Sequence, residues 1–478
     1  MSTIERVRAA TASPAPVAVG MTGAVVAAVL AIAARLPFLT DPLGPDEGGF
    51  LLVASQWSPG RSLYGDYFVD RPPGLIAIYD VAGQLGGAVP LRVLGAGAVV
   101  VAVLLAGRLG RTPPAALCAA LLSTPLFGSM EINGELLAVP FVLASAALVL
   151  RAFGSGSGTD RHAAAAGAGA AAASAAAALV KQNMIDGVVV AVVVLVAMAI
   201  ERPLREAALC AAALVAGAVA ASGIALASAE SRGTSPRALW DALVTFRAQA
   251  AAVIHASAPA TTSERLHTML LAGLAAGVPA VLVAAACGRR RQGADGVVLW
   301  AAIAALAWES ASALLGGSYW LHYLIVFVPG LVLLVTAVEG RWVAYALRYV
   351  AFSAAVAVVG ALLHPIHMDA DAAVSAYIRG ASRPGDTMVV AFGHPNIVAD
   401  AGLQSPYDNP WSLPVRVRDP HLDGLAAVLR GSAAPRWVVV DGRSLATWGV
   451  DPAAAQHVLD TEYRLVDSAG GWHVFEHE

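Results

Sequence analysis

Residues 73–88, PGLIAIYDVAGQLGGA, decide how the whole chain is threaded. Read as a membrane span, the run puts Arg108 and Arg111 outside and inverts every later segment. Read as an interfacial or re-entrant helix, it leaves the arginine clusters on one side throughout. The second reading is the stronger. The run is short for a span, opens on Pro72-Pro73, and carries Asp80 and Gln84, which lipid-facing surface could accept only at a cost.

Outward from this run, arginines cluster at Arg6/Arg8, Arg108/Arg111, Arg151/Arg161, Arg202/Arg205, Arg289–Arg291 and Arg341/Arg348. The positive-inside rule assigns all of them to the cytoplasm. About eleven spans satisfy it, at 17–39, 90–110, 113–130, 135–153, 163–181, 184–200, 205–229, 266–287, 296–316, 320–338 and 343–363. The N-terminus is then inside and the C-terminus outside. The outer side receives residues 40–72, 131–135, 181–183, 230–265, 317–319 and everything after His364. The inner loops are too short for a nucleotide-binding domain.

Composition agrees with a membrane protein. Of 478 residues, 58% are hydrophobic and only 13% charged, and mean hydropathy is +0.68. A soluble protein carries nearer a quarter charged residues. The net charge of -3 says little, and no basic stretch suggests nucleic acid as a partner. The first apolar run, Val17–Leu39, lacks a convincing cleavage site and reads as a span. Cys118, Cys210 and Cys287 lack metal-ligand spacing and read as packing residues. The alanine-rich tract Ala163–Ala178 suits close helix packing in a membrane.

After His364 the composition becomes that of a soluble domain. Helices are predicted at 371–379, 422–429 and 452–459, strands at 387–392 and 437–440, and a terminal hairpin turning at Gly470-Gly471. Its histidines, His394, His421, His457, His473 and His477, have no metal-site spacing. The expected fold is thus a polytopic α-helical membrane protein, residues 1–364, with a small extracytoplasmic α/β domain, residues 365–478. The first body includes an outer loop at 40–72 and an interfacial helix at 73–88.

Residues able to do chemistry gather on the predicted outer side. Asp46-Glu47 follows the first span and precedes the apolar residues Phe50, Leu51, Ala54 and Trp57. As structure, Asp46 would cap a helix and Glu47 would favour its dipole. As chemistry, a carboxylate there could remove a proton. Asp41 and Asp66 read as turn residues. Asp70-Arg71-Pro72-Pro73 returns the loop to the membrane, and an interfacial arginine there either snorkels or holds a phosphate. Glu131 and Glu135 flank Ile132-Asn133-Gly134 at another outer edge, where a solvated loop is the plain reading and a shared polar cleft the functional one. Lys181, the only lysine, precedes Gln182 and Asn183 and is either an anchor or a compact cation for a lipid phosphate. Trp308, Glu309, Tyr319, Trp320, His322 and Tyr323 form another edge. An aromatic belt explains most of them. Glu309, inside a span, needs a partner or water.

In order and sidedness these residues resemble the GT-C superfamily of membrane glycosyltransferases, particularly its protein O-mannosyltransferase and aminoarabinose transferase branch. The matching elements are Pro45-Asp46-Glu47, Arg71-Pro72-Pro73, Glu131-x-Asn133-x-Glu135, Lys181-Gln182 and Tyr319–Tyr323, spread over roughly the first 365 residues. A departure is Gly48-Gly49, where family members often carry bulkier residues, so the acceptor side of the pocket is expected to differ.

The resemblance implies an inverting transferase in the bacterial plasma membrane. It would move a sugar from a polyprenyl-phosphate donor to a lipid or polysaccharide hydroxyl outside. Asp46 would be the base and Glu47 would orient the acceptor or a cation. Arg71 and Lys181 would bind the donor phosphate. Tyr64, Asp70, Glu131, Asn133, Glu135, Gln182, Asn183, Glu309, Tyr319, His322 and Tyr323 would line the substrate cavity. A divalent cation such as Mg or Mn could sit at Asp46, Glu47 and Glu131, although basic residues on the phosphate would make it unnecessary. The alternative, from another class, is a transporter or flippase of a lipid-linked intermediate. Duplicated halves and midplane polar groups would favour it, and the sequence displays neither.

Overall fold

A computed structural model describes residues 14–55, 67–154, 160–291, 296–364 and 369–478. The N-terminal part is a helical bundle. It begins with α1 (Pro14–Arg35), α2 (Pro45–Ala54), α3 (Pro73–Gln84), α4 (Ala88–Gly110) and α5 (Thr112–Leu122). It continues with α6 (Gly134–Gly154), α7 (Asp160–Val180), α8 (Asp186–Glu201), α9 (Leu204–Ser231), α10 (Pro236–Trp240) and α11 (Phe246–Ser257). The last group is α12 (Pro259–Ala275), α13 (Val278–Cys287), α14 (Gly296–Leu315), α15 (Val328–Ala337) and α16 (Arg341–Leu363). A two-stranded ladder, β1 (Arg289–Arg290) with β2 (Val338–Glu339), ties the end of α13 to that of α15.

Among the described residues, six helices are long and apolar enough to cross a membrane, and α12 with α13, bent by 52°, makes a seventh if the pair is one span. Helices occupy all of the predicted runs, but several are shorter than a bilayer. α5 has 11 residues, about 17 Å at helical rise, against roughly 30 Å of hydrocarbon. Its buried Leu117, Leu121 and Leu122 face neighbouring helices, so length and composition alone do not make it a span. α3 has 12 residues and is likewise too short to cross. Leu75, Ile76 and Tyr79 are fully buried on its inner side, while Asp80 and Gln84 bond each other on its exposed side.

Small residues let the bundle close. α7 packs against α6 and α9. The Ser145 and Ser174 hydroxyls meet at 2.8 Å between α6 and α7, and a Cβ at Gly217 would lie 2.5 Å from the Ala168 carbonyl oxygen. Large apolar side chains point outward from α1, α9 and α16, among them Leu30, Ile224 and Phe352. Cys118 and Cys210 are buried and Cys287 is exposed; all three are free thiols.

The C-terminal part alternates helix and strand: α17 (Asp369–Ala381), β3 (Met388–Ala391), α18 (Pro395–Ala401), α19 (Ser412–Arg418), α20 (Asp423–Arg430), β4 (Trp437–Asp441), α21 (Ala453–Glu462), β5 (Tyr463–Ala469) and β6 (Trp472–His477). The sheet order is β3-β4-β6-β5, with β3 parallel to β4 and the remaining pairs antiparallel. Gly470 and Gly471 turn the hairpin with φ of 62° and 95°, a backbone conformation that glycine adopts without strain.

This part is stitched to the first loop. Phe68 N–H donates to Asp408 O at 2.7 Å. The Tyr67 hydroxyl accepts from Ser405 N–H at 2.8 Å and bonds Gln404 Oε1 at 3.1 Å. Gly48 and Gly49 permit the closest approach. A Cβ on Gly48 would lie 2.5 Å from Asn396 Cα, and one on Gly49 would lie 2.3 Å from the Trp411 ring. The departure from bulkier residues thus has a steric cause: α18 and Trp411 press directly on α2.

Candidate active site

α2 starts at Pro45, with the extended Gly44 as its N-cap. Proline suits the first helical position because its missing N–H would have no partner there. Glu47, three residues beyond the cap, accepts from Gly44 N–H at 3.2 Å. Asp46 is therefore not the cap. It is half-buried, and its Oδ1 accepts from Trp411 Nε1 at 3.0 Å. Its Oδ2 has no hydrogen bond among the described residues.

Glu47 is fully buried and saturated. Its Oε2 accepts from Arg92 Nη2 at 2.7 Å and its Oε1 from Ile132 N–H at 2.7 Å. Arg92 also donates to the Phe38 and Pro42 carbonyls, at 2.8 and 3.3 Å. Through these bonds Glu47 joins the first loop, α4 and the second acidic stretch. The same bonds oppose the proposed cation site, because N–H donors already stand at both Glu47 oxygens. Among the described residues no group of three His, Cys, Asp or Glu could hold a metal. Glu131 is solvent-accessible at the rim. Surrounding protein and the charges of Glu47 and Asp46 push its carboxyl up to about 7.

The basic side is a chain of ion pairs. Asp70 bonds Arg71 Nη1 at 2.5 Å and Arg247 Nη2 at 2.7 Å. Burial raises the Asp70 pKa, but Arg247, Arg71 and Lys181 outweigh it and hold the carboxyl below its usual range. Burial lowers the Arg71 pKa, and Asp70 and Asp46 more than reverse this. Arg71 also lies over the Phe50 ring, 5.6 Å from its centroid. Lys181 does not snorkel: it is buried, with Nζ 2.8 Å from Glu135 Oε1. His322 Nε2 approaches that oxygen at 3.9 Å, and the Tyr323 ring centroid is 5.9 Å from Lys181 Nζ.

Lys181, Arg247, Gln182 and Asn183 open on a cavity of about 290 Å³ whose other walls include Leu243, Ile254 and Leu315. The buried Gln182 Oε1 and Asn183 Oδ1 lack hydrogen-bond partners among the described residues. Two cations, two idle amide oxygens and an apolar wall can receive an amphiphilic anion that carries hydroxyl groups.

Other expected residues are placed elsewhere or serve the frame. Asn133 caps α6, its Oδ1 accepting from Leu136 N–H at 2.9 Å. Glu309 is fully buried and its Oε1 accepts from Gly330 N–H at 2.7 Å, in the first turn of α15, so it does not line the cavity. The Tyr319 hydroxyl donates to Leu314 O at 3.1 Å, away from the cavity. Tyr64 and Asp66 lie outside the described residues. Two residues escaped the sequence reading. Arg247 was one of several arginines in residues 230–265, and no local signal set it apart. Trp411 is 365 positions from Asp46.

No protein-family model and no curated protein matches the chain. The fold nevertheless resembles that of a solved structure over almost the whole chain. ArnT from Cupriavidus metallidurans bound to undecaprenyl phosphate superposes with a TM-score of 0.60 at 13% identity, covering 94% of this chain and 97% of that one. The apo state of the same protein gives 0.46, with 13% identity and the same coverage. An Archaeoglobus fulgidus oligosaccharyltransferase in complex with Zn and sulfate also gives 0.46, at 13% identity, covering 95% of this chain and 73% of that one. At this identity the likeness is one of fold.

Proposed function

We propose that the chain is an inverting glycosyltransferase that takes a sugar from a polyprenyl-phosphate donor. It passes the sugar to a cell-envelope hydroxyl at the extracytoplasmic face of a bacterial plasma membrane. The observation that carries the reading is the cavity that pairs Lys181 and Arg247 with an apolar wall and two unsatisfied amide oxygens. Such a site matches a phosphate, its lipid and the sugar hydroxyls together. The fold-level likeness to a protein bound to undecaprenyl phosphate supports the same donor class. In this reading residues 1–364 form the transferase body with about eleven spans, and residues 365–478 cover its outer end.

Asp46 Oδ2 takes the proton from the acceptor hydroxyl as that oxygen attacks the anomeric carbon. The bond from the anomeric carbon to the phosphate oxygen breaks on the opposite face, and the electron pair leaves with the phosphate. Lys181 and Arg247 stabilise the charge that accumulates there, and Arg71 acts behind them through Asp70. Gln182 and Asn183 accept hydrogen bonds from the sugar. Glu47 holds the Asp46 helix in place.

The test uses purified full-length protein with synthetic polyprenyl-phosphate hexose and pentose, and follows release of polyprenyl phosphate. Wild type should release it in an acceptor-dependent manner, and Asp46→Asn should not. Absence of release from every donor offered to folded wild type would defeat the reading.

A further inference from the structure

A second cavity adjoins the first. Ile254 lines both, and the second encloses about 150 Å³ beside α19. Two arginines face it. The Arg265 guanidinium lies 4.0 Å from the centroid of the Trp320 ring, and that of Arg416 lies 3.8 Å from Trp448. Arg416 is buried and fixed by neutral acceptors, with Nε on Trp448 O at 2.9 Å and Nη2 on Thr447 Oγ1 at 3.0 Å. Neither arginine forms an ion pair within 4 Å among the described residues. Glu264, the acid next to Arg265 in sequence, is exposed to solvent. Burial and the charge of Arg265 push Arg416 down to about 10.

Arg416 is buried, and the half-buried Arg265 stands close enough to act on its charge. A buried guanidinium beside a second cation, with no carboxylate in contact, is costly unless an anion joins them. Each is a planar fork fitted to an oxyanion, and its indole stack fixes its orientation. Ser318 and Ser412 add hydroxyls to the same wall. Ser412 directly follows Trp411, the residue bonded to Asp46. The cavity therefore lies between the donor cavity and the segment that holds the proposed base.

We propose that this cavity is a second oxyanion site, which takes a phosphate or carboxylate group carried by the acceptor. Its assignment to the acceptor rests on the transfer reading above; the anion site itself does not. An acceptor anchored there by its charge presents a hydroxyl toward Asp46 while the lipid donor fills the adjoining cavity.

Two measurements on the full-length protein test this. In the first, inorganic phosphate is titrated calorimetrically into detergent-solubilised protein. Wild type should bind it saturably, and Arg265→Gln should weaken that binding roughly tenfold or more. Arg265→Lys, which keeps the charge and loses the fork, should fall between them and guards against a folding defect in the glutamine variant. Arg247→Ala should retain the Arg265-dependent component. No saturable binding by wild type, or superposable wild-type and Arg265→Gln isotherms, would overturn the site. The second measurement compares transfer to a phosphorylated acceptor analogue and to its neutral counterpart. Arg265→Gln should raise KM roughly tenfold for the phosphorylated analogue alone and leave kcat unchanged. An equal KM in wild type and variant overturns the acceptor assignment. Lack of any wild-type transfer defeats the transferase reading instead, while the phosphate isotherm still reports on the site.

Discussion

Asp46-Glu47 in the first loop and Glu131–Glu135 in the second are two acidic stretches that divide their carboxylates alike. One member of each is sunk onto a cation: Glu47 on Arg92 at 2.7 Å, and Glu135 on Lys181 at 2.8 Å. The other member stays at the recess. The surroundings of that open member differ. Asp46 receives the Trp411 indole N–H and has Arg71 within electrostatic reach. Glu131 faces the charges of Glu47 and Asp46, and a Cβ on Gly44 would touch its carboxyl group at 3.0 Å. The comparison gives Asp46 a fixed orientation on the Trp411 indole that Glu131 lacks among the described residues, and makes the buried members the struts.

The sharpest way to break this division is to separate Asp46 from Glu47. Asp46→Asn should lower turnover by roughly 10²–10⁴-fold while donor binding and melting temperature stay near wild type. A fully active Asp46→Asn enzyme would move the base elsewhere. Glu47→Ala strands Arg92 in a buried site and should cost about 3–5 kcal/mol of stability, read by thermal or denaturant unfolding in detergent. If Glu47→Ala melted normally and lost only turnover, strut and base would have to exchange roles.

A smaller effect tests the basic side. Arg247→Gln removes one charge-assisted contact and should raise donor KM roughly tenfold to a hundredfold. Asp70 keeps Arg71 at 2.5 Å, so the loop should remain folded. Unchanged donor kinetics would leave Arg247 as a partner of Asp70 alone.

The smallest effect concerns Glu131. Its folded pKa of about 7 exceeds the ordinary glutamate value of 4.5, so the folded state holds the proton more tightly than the unfolded chain. The resulting stabilisation is complete below about 4.5 and fades as pH rises through about 7. Solvent screening at this accessible position should keep the change under about 1 kcal/mol. Glu131→Gln should flatten melting temperature against pH across that window. An unchanged slope would assign it to another group.

Much of the C-terminal fold was legible locally. Short continuous runs of valine-rich apolar residues marked β3 and β4, and Gly470-Gly471 marked the hairpin. α18 and α19 were not anticipated. Each has only 7 residues, too few to display a helical period. α18, with Trp411 just before α19, is also what presses on α2. Gly48-Gly49 was visible as a departure from a pattern, yet its cause, the approach of Asn396 and Trp411, lay in the fold.

The sequence by itself determined the protein's class, the helical character of its apolar runs, and a short set of polar residues on loops. Hydropathy and turn chemistry are local properties, and a single chain displays them directly. Only the tertiary structure decided which of those residues work together. Glu47 meets Arg92 across 45 positions and Asp46 meets Trp411 across 365. A carboxylate reads alike in a sequence whether it faces a recess or closes a buried ion pair. Its role depends on the donors and charges that folding brings to it, and on the water that folding removes.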